Sequence, residues 1–242
     1  GSVMPVLEIG LEAGDCVIAE PGEFSWMTAA VQMRTTALTA GAKGIWGAIG
    51  RALSGGGLFM TEYSAPSGQG VVAFAARVPG TIVPVEVPAN RSFLIHRHGF
   101  LCATPGVSLS TGFQRSLGAG IFGGDGFLLQ RLSGPCSAWI ELGGELITYD
   151  LAAGETLQVH PGHVGMFEDT VNFDVTLMRA ISNAFFVGDG LFVARLTGPG
   201  KVWLQSLTVP GLAHAVAPYL RGPSVESAGT STAAGLAGSV LR

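Results

Sequence analysis

The sequence predicts an all-β fold, and three observations support this prediction. Glycine is abundant, with 37 residues among 242, and 13 prolines accompany it, as expected for many short strands joined by tight turns. Charged residues make up only 12% of the chain, well below the usual quarter, while 48% of the residues are hydrophobic. An apolar motif with a Gly-Pro turn also recurs along the chain, which indicates repeated β units.

The recurring motif is clearest at residues 190–199, which read Gly-Leu-Phe-Val-Ala-Arg-Leu-Thr-Gly-Pro and are followed by Trp203. Residues 126–135, which lie 64 positions earlier, read Gly-Phe-Leu-Leu-Gln-Arg-Leu-Ser-Gly-Pro and are followed by Trp139. A fainter version begins at Gly57. Each copy is a short apolar strand, a turn and a second apolar strand, which predicts a hairpin. We expect Trp139 and Trp203 at the ends of matching strands, partly buried in the same packing slot.

The segments that precede the motif repeat with a related spacing. Residues 80–87 align with residues 144–151 at an offset of 64, and the N-terminal segment aligns with the second copy at an offset of 76. The chain is therefore predicted to contain three copies of one unit, at about residues 4–75, 76–141 and 142–207. Packing of the third unit against the first would close a ring around a pseudo-threefold axis and remove exposed sheet edges.

The first unit carries an insertion of seven residues within the segment 39–53. A stripe at helical spacing lies in this segment and consists of Ile45, Trp46, Ile49 and Leu53. We expect a short helix that caps the open end of the sheets. The alternative is a helix over residues 42–53 that touches a membrane surface or a partner, with two basic residues toward the lipid headgroups.

Alternation of apolar and polar residues predicts strands at 157–160 and 171–174. After the third unit a last helical turn is expected at 212–217, ended by the proline that follows. Small and polar residues dominate the C-terminal end, which is typical of linkers. We therefore expect one triplicated β domain over 1–216 and a flexible tail over 217–242, with no separate helical domain.

Charge and cysteine content restrict the partners of the protein. The net charge is −4 and the 13 basic residues are scattered, which disfavours a nucleic-acid binder. The isolated cysteines Cys16, Cys102 and Cys136 predict reduced thiols in a cytoplasmic protein. No uninterrupted apolar run reaches the length of about 18 residues that a membrane span needs. With so few charges, we expect part of the apolar surface to be covered by another copy of the chain.

No motif in the sequence predicts a catalytic, cofactor-binding or metal site. A Gly-x-Ser-x-Gly nucleophile motif is absent, and the glycine-rich runs do not match a phosphate-binding loop. His96 and His98 would point to one face of a strand, as in cupin-like metal sites, and His160 or His163 would supply a further ligand. The favoured alternative is that these histidines are polar residues of turns at strand ends.

Equivalent positions of the units carry two further sets of polar residues. Arg131 and Arg195 would either hold an anion or satisfy carbonyl groups and carboxylates within the fold, and we favour the second. Glu20, His96 and His160 share one position in the three units, and their convergence on an axis would provide the ligands of an iron or zinc site. Turn residues follow all three, so we expect strand ends at the rim, with separations beyond about 10 Å and no shared metal.

Four runs of the chain carry a resemblance to a known family. They are Gly-Gly-Gly-Leu-Phe at 55–59, Gly-Gly-Asp-Gly-Phe-Leu-Leu-Gln at 123–130, Gly-Asp-Gly-Leu-Phe-Val-Ala-Arg-Leu-Thr-Gly-Pro-Gly at 188–200 and Val-Trp-Leu-Gln-Ser at 202–206. Over about residues 4–216 the sequence resembles the "altered inheritance of mitochondria" family of bacterial and fungal proteins. The resemblance implies a fold like that of the tryptophan RNA-binding attenuator protein, with three tandem attenuator-like β-sandwich units around a pseudo-threefold axis.

The same resemblance implies little about activity. Bacterial members of the family have no established activity, mitochondrial members are linked to inner-membrane organisation, and no catalytic motif of the family can be transferred to this chain. The preferred hypothesis is a non-enzymatic structural or interaction protein that self-associates and has an unidentified protein partner. A cupin-like small-molecule or metal-binding protein is the first alternative. An RNA-binding protein is the second, suggested by analogy of fold alone.

Overall fold

The computed structural model describes residues 3–38, 58–115, 127–178 and 191–220, and most of these residues lie in β-strands. The predicted all-β class is thereby confirmed. The helix predicted over 42–53 lies outside the described residues, as does the tail from residue 221 onward. The extent of the domain and of its three units stays a prediction.

Among the described residues, six strands form in each of three consecutive segments of the chain. The first segment contains β1 (Val6–Leu11), β2 (Cys16–Ala19), β3 (Trp26–Met27), β4 (Gln32–Leu38), β5 (Leu58–Ser64) and β6 (Gly70–Ala75). The second contains β7 (Gly80–Val87), β8 (Ser92–His96), β9 (Phe100–Ala103), β10 (Ser108–Arg115), β11 (Phe127–Ser133) and β12 (Cys136–Gly143). The third contains β13 (Leu146–Leu151), β14 (Thr156–Val159), β15 (Val164–Glu168), β16 (Asn172–Met178), β17 (Leu191–Thr197) and β18 (Gly200–Gln205). A 3₁₀ helix (Pro161–His163) precedes β15, and helix α1 (Val209–Leu220) follows β18.

The strands of the three segments pair in one common order, and all the pairs are antiparallel. In every segment the first strand pairs with the sixth, the second with the fifth, the third with the sixth and the fourth with the fifth. This recurrence follows the sequence offsets of 76 and 64. An arrangement of the segments around a pseudo-threefold axis stays a prediction.

Successive segments are joined edge to edge by two further strand pairs, β2 with β9 and β8 with β15. These pairs produce two six-stranded sheets in the described part of the chain, with the orders β4-β5-β2-β9-β12-β7 and β10-β11-β8-β15-β18-β13. Two three-stranded sheets, β1-β6-β3 and β14-β17-β16, lie at the two ends of the series.

The core lies on both faces of the strands that join the segments. In β8, Phe93 and Ile95 belong to one cluster of buried residues with Ile140, whereas Leu94 belongs to a second cluster with Phe167. A strand that is covered on both faces needs an uninterrupted apolar run, because neither face is left for polar side chains. The middle of β8 accordingly has three consecutive apolar residues, Phe93, Leu94 and Ile95, without alternation.

The predicted Gly-Pro hairpins are wrong. Strands β11 and β12 flank Gly134-Pro135 but do not pair: β11 pairs with β8 and β10, and β12 pairs with β7 and β9. Gly198-Pro199 likewise separates β17 from β18, which lie in different sheets. The Gly-Pro turns are therefore corners that carry the chain from one sheet to another. Close packing explains the glycine, since a Cβ atom at Gly134 would lie 2.2 Å from the carbonyl oxygen of Val87.

Two further sequence predictions can be compared with the structure. Trp139 and Trp203 are both partly buried, and they lie opposite the equivalent residues Cys102 and Met166. Their equivalence is thus confirmed, but each is the fourth residue of its strand, so their predicted place at strand ends is wrong. The terminal helix is longer than predicted and includes Pro218.

Candidate functional site

Two strand edges at opposite ends of the series of sheets lack the partner that their counterparts have. In the joined sheets, the second strand of one segment pairs with the third strand of the next. The second strand of the last segment is β14 and the third strand of the first segment is β3. Among the described residues, β14 pairs with β17 and β3 pairs with β6, and neither has a partner on its other side. We call these two sides the open edges; the predicted closure of the ring is not seen in the described strands.

Solvent exposure distinguishes the open edges from the joined ones. Trp26 of β3 is 47% exposed, whereas its counterparts Cys102 and Met166 are both fully buried. Strand β14 alternates between exposed and half-buried side chains, while the first four residues of its counterpart β8 are all buried. The first segment also exposes Met4 and Phe24. At the open edges, Trp26 of β3 is therefore exposed at a position that is covered in the joined sheets, whereas the exposed residues of β14 are the polar Thr156 and Gln158 and its apolar residues are half-buried.

A second feature is a group of linked polar side chains between the first and second segments, which we call the junction cluster: Glu20, Glu23, Arg77, Gln130 and Glu141. Arg77 forms an ion pair with the buried carboxylate of Glu23. The backbone N–H of Arg77 also donates a hydrogen bond of 2.8 Å to Oε1 of Glu141. Gln130 donates from Nε2 to Oε1 of Glu20 at 2.8 Å. These bonds connect residues that are far apart in the sequence.

Burial controls the electrostatics of this cluster. Desolvation raises the pKa of Glu20, and the hydrogen bond from Gln130 and the charge of Arg77 oppose the rise. Desolvation also raises the pKa of Glu141, against the backbone hydrogen bonds from Val78 and Arg77. A guanidinium and the backbone N–H groups thus support two carboxyl groups that burial alone would neutralise.

His96 is held in its neutral form beside the junction cluster. Burial lowers its pKa from the ordinary 6.5 to about 4, and the nearby charges of His98 and Arg77 act in the same direction. Its Nε2 lies 2.9 Å from the backbone carbonyl oxygen of Glu141. Because a carbonyl can only accept, Nε2 carries the proton and Nδ1 is the acceptor nitrogen of the neutral ring.

The structure gives Glu20, His96 and His160 the same backbone environment but different side-chain partners. The carbonyl oxygen of each accepts a hydrogen bond from the N–H group three residues later, at 3.3, 2.8 and 2.9 Å respectively. Glu20 bonds to Gln130, His96 to a backbone carbonyl, and His160 accepts from the N–H of Gly162 at 3.3 Å. In the described part of the chain, no three His, Cys, Asp or Glu side chains are placed to hold one metal ion. The wide separation of the three side chains stays a prediction.

Among the other candidate histidines and arginines, His163 and Arg131 make structural contacts. Strand β8 ends at His96, so His98 lies in the turn beyond it, as the favoured alternative states. His163 donates from Nδ1 to the carbonyl oxygen of Gln205 at 2.8 Å. Arg131 donates to the hydroxyl of Ser92 at 2.7 Å. That hydroxyl in turn donates to a carboxylate oxygen of Asp169 at 2.8 Å, so the fold uses Arg131 internally.

The three cysteines are free thiols, and two of them are buried. Burial raises the pKa of Cys136 to about 11, and it raises the pKa of Cys102 further. Both thiols therefore stay protonated near neutral pH, where a nucleophilic cysteine needs the thiolate form. Cys16 is half-buried, and burial together with the charge of Glu62 raises its pKa as well.

Sequence reasoning missed Glu23, Arg77, Glu141 and Gln205. Glu141 and Gln205 occupy equivalent positions near the ends of β12 and β18, and both are buried. Oε1 of Gln205 accepts a 2.9 Å bond from the N–H of Gly143, as Oε1 of Glu141 accepts from that of Arg77. A signal was available, because each is a polar residue near the end of an apolar strand and has a polar counterpart 64 positions away.

Comparison with known proteins supports the resemblance seen in the sequence. A family model described as mitochondrial biogenesis AIM24 matches residues 1–207. An uncharacterised protein of Streptococcus pyogenes serotype M6 is 26% identical over 219 residues, which cover 89% of this chain and 87% of that protein. The crystal structure of a Streptococcus pyogenes protein aligns with a TM-score of 0.69 at 24% identity, over 90% of this chain and 95% of that one. Within the described residues, no helix has the length and hydropathy of a membrane span.

Proposed function

The chain belongs to the mitochondrial biogenesis AIM24 family, and from this premise and the open edges we propose a non-enzymatic structural or interaction protein that self-associates. The open edge of β14 in one copy pairs with the open edge of β3 in the next copy. The observation that carries this proposal is the exposure of β3 and β14 at positions where the two other junctions are paired and buried.

The joined sheets specify the register of the proposed contact. Ala19 lies opposite Cys102 in the first junction, and Ile95 lies opposite Met166 in the second. The sequence offsets make Val159 the counterpart of Ala19 and Ile95, and they make Trp26 the counterpart of Cys102 and Met166. Val159 of one copy is therefore expected opposite Trp26 of the next.

Both physical forces that join the segments are available at this contact. An edge strand offers unpaired N–H and C=O groups, and these are a ready template for another strand. Burial of Trp26, now 47% exposed, adds the transfer of a large aromatic surface out of water. The same chain presents two different edges, so the contact is heterologous and produces a chain or a larger ring of copies.

Cysteine cross-linking tests this contact directly. Two single variants, Trp26→Cys and Val159→Cys, are each made in a Cys16→Ser background, so that the thiols left elsewhere are the buried Cys102 and Cys136. Directly opposed residues of antiparallel strands have Cβ atoms about 4.5–5.5 Å apart, close to the distance that a disulfide requires. A mixture of the two variants is expected to form a disulfide-linked heterodimer under mild oxidation, whereas each variant alone does not.

Matched controls distinguish the proposed strand register from other contacts between copies. Met33→Cys replaces Trp26→Cys in a parallel mixture, because Met33 is also an exposed apolar residue, 56% exposed, but lies on β4. Equal heterodimer formation with Met33→Cys would reject the register. A chain that carries both cysteines is also oxidised, and its mass is measured by light scattering. If it forms only an internal disulfide and is monomeric at micromolar concentration, self-association is rejected in favour of closure within one chain.

A further inference from the structure

A cavity of about 340 Å³ lies where the connections between the segments meet, beside the start of helix α1. Its volume is at the lower end of the range for small-molecule sites, about 300–1,000 Å³. Most of its wall is apolar, and the apolar residues come from β11, from the 3₁₀ helix and β15, and from the start of α1 with the residues before it: Phe127, Leu128, Pro161, Val164, Leu207 and Val209. Such a wall fits a ligand with an apolar body.

The accessible charged groups on this wall are basic. Arg77 follows β6, and Arg97 and His98 follow β8. Glu141 is the one acidic residue among the described residues of the lining, and its carboxylate is withdrawn from the cavity. The residue is only 4% exposed, and its Oε1 accepts from the backbone N–H groups of Arg77 and Val78. Its Oε2 has essentially no accessible surface. A ligand in the cavity therefore meets the basic groups.

The basic groups lie close enough to influence one another. Burial lowers the pKa of His98, and the charges of Arg77 and Arg97 lower it further. Burial likewise lowers the pKa of His96, also on the wall, and the charges of His98 and Arg77 act in the same direction. The N-terminal end of α1, which carries a partial positive charge, borders the same cavity. A bound anion would reduce the repulsion among these groups.

The ion pair between Arg77 and Glu23 positions one guanidinium without filling the cavity. Glu23 is 5% exposed and is not part of the lining, whereas the side chain of Arg77 is 40% exposed. A guanidinium has five N–H donors in a planar fork, so it can hold a buried carboxylate on one side and a second carboxylate on another. The nearby charge of Glu23 disfavours a doubly charged head. We propose that the cavity binds a small monocarboxylate with an apolar body, whose carboxylate is held by Arg77 and Arg97 beside His98.

Titration of hexanoate into the full chain at pH 7, followed by nuclear magnetic resonance, tests this site. Hexan-1-ol has the same apolar body without the charge, hexylamine reverses the charge, and acetate has the carboxylate without the body. We expect saturable hexanoate binding that shifts the amide signals of Val78, Gly162 and Leu207, which line the cavity. The three other compounds are expected to bind at least about tenfold more weakly, which corresponds to about 1.4 kcal/mol.

Arginine variants distinguish the effect of charge from that of folding. Arg97→Gln removes one guanidinium and is expected to weaken hexanoate binding about tenfold, because charge-assisted hydrogen bonds are lost. Arg97→Lys keeps the positive charge and is expected to weaken it by less than about threefold. The control Arg34→Gln makes the same change of charge at an exposed position of β4 and is expected to have no effect.

His98 provides a second readout, because a carboxylate beside its ring favours the protonated form. Saturating hexanoate is expected to raise the pKa of His98, measured from the pH dependence of its ring signals. Acetate at the same concentration is expected to leave it unchanged. A ligand bound elsewhere on the molecule would not produce this difference.

Four results would overturn the proposal: equal binding of hexan-1-ol and hexanoate, unchanged affinity in folded Arg97→Gln protein, an unchanged pKa of His98, or no saturable binding of hexanoate to the unmodified chain. If Arg97→Gln does not fold, Leu207→Trp takes its place, since it fills the cavity and leaves every charge intact. That variant is expected to abolish hexanoate binding, and unchanged affinity would overturn the proposal as well. None of these results depends on self-association at the open edges.

Discussion

Lowering the pH is expected to destabilise the protein through His96. Burial lowers the pKa of this imidazole from 6.5 to about 4, so the unfolded chain binds a proton at a higher pH than the folded protein. The stability that the neutral ring provides is therefore complete above pH 6.5 and is lost as the pH falls toward 4. The bond from Nε2–H to the carbonyl oxygen of Glu141, 2.9 Å long, is retained in both forms, which leaves desolvation of the charged ring as the main cost.

The magnitude follows from the size of the pKa change. One pKa unit corresponds to about 1.4 kcal/mol, so the shift from 6.5 to about 4 gives on the order of 3 kcal/mol between pH 7 and pH 4. This is an upper bound because His96 retains some exposure. The neighbouring acids act in the opposite direction: burial raises the pKa of Glu20 and Glu141, and such groups favour the folded state as the pH falls. The pKa of His98 is lowered by burial and adds to the loss.

A variant comparison isolates the contribution of His96 from those of its neighbours. Urea unfolding is measured at pH 7, 6, 5 and 4 for the unmodified protein and for His96→Gln, whose amide can donate to the same carbonyl but does not titrate. The stability of the unmodified protein relative to the variant is expected to fall by up to about 3 kcal/mol across this range. His214→Gln, on the exposed face of helix α1, serves as the control. If the difference in unfolding free energy between the unmodified protein and His96→Gln is constant from pH 7 to pH 4, the reasoning is refuted.

Two further predictions concern stability at pH 7, and both are checked by urea unfolding. Gln205→Ala leaves the buried N–H of Gly143 without its acceptor and is expected to lower the free energy of unfolding by about 1–3 kcal/mol. Its control, Gln69→Ala, removes exposed bonds to Glu12 and is expected to lower it by less than about 0.5 kcal/mol. Equal effects would contradict the role of Gln205 as the acceptor for Gly143. Gly80→Ala places a Cβ 2.1 Å from the carbonyl oxygen of Leu142 and should cost about 1–3 kcal/mol, while Gly10→Ala meets nothing within 4 Å. If the Gly80→Ala protein is as stable as the Gly10→Ala protein, the start of β7 can move away from Leu142 and the prediction is wrong.

The sequence offsets predicted local backbone geometry better than strand partners. Glu20, His96 and His160 were aligned from spacing alone, and their carbonyl groups accept equivalent bonds in the structure. The hairpins at Gly134-Pro135 and Gly198-Pro199 failed because the same residues suit a tight hairpin and a corner between sheets. The choice between the two is made by distant strands: β8 and β10 take both edges of β11 and leave none for β12.

The junction cluster could not be predicted from the sequence. Glu23, Arg77 and Glu141 lie 54 and 64 positions apart, and no motif connects them. Their association depends on where the first segment meets the second, which local patterns do not encode. A more informative signal was the presence of Glu141 and Gln205 at equivalent positions of apolar strands, because a buried polar residue needs a partner.

The proposed self-association rests on a place where the repeated units differ from one another. Repetition accounts for the strand order and for most of the buried core, so a position that follows the pattern has a sufficient explanation in folding. Trp26 departs from it, since its counterparts Cys102 and Met166 are fully buried while Trp26 is 47% exposed. Glu141 departs from it as well, since its counterpart Gln205 is fully bonded while Oε2 of Glu141 has no partner among the described residues. Each departure carries a cost that folding of the isolated chain does not recover: exposed aromatic surface in one case and a desolvated oxygen in the other. Binding of a second copy at the open edges would recover the first of these two costs.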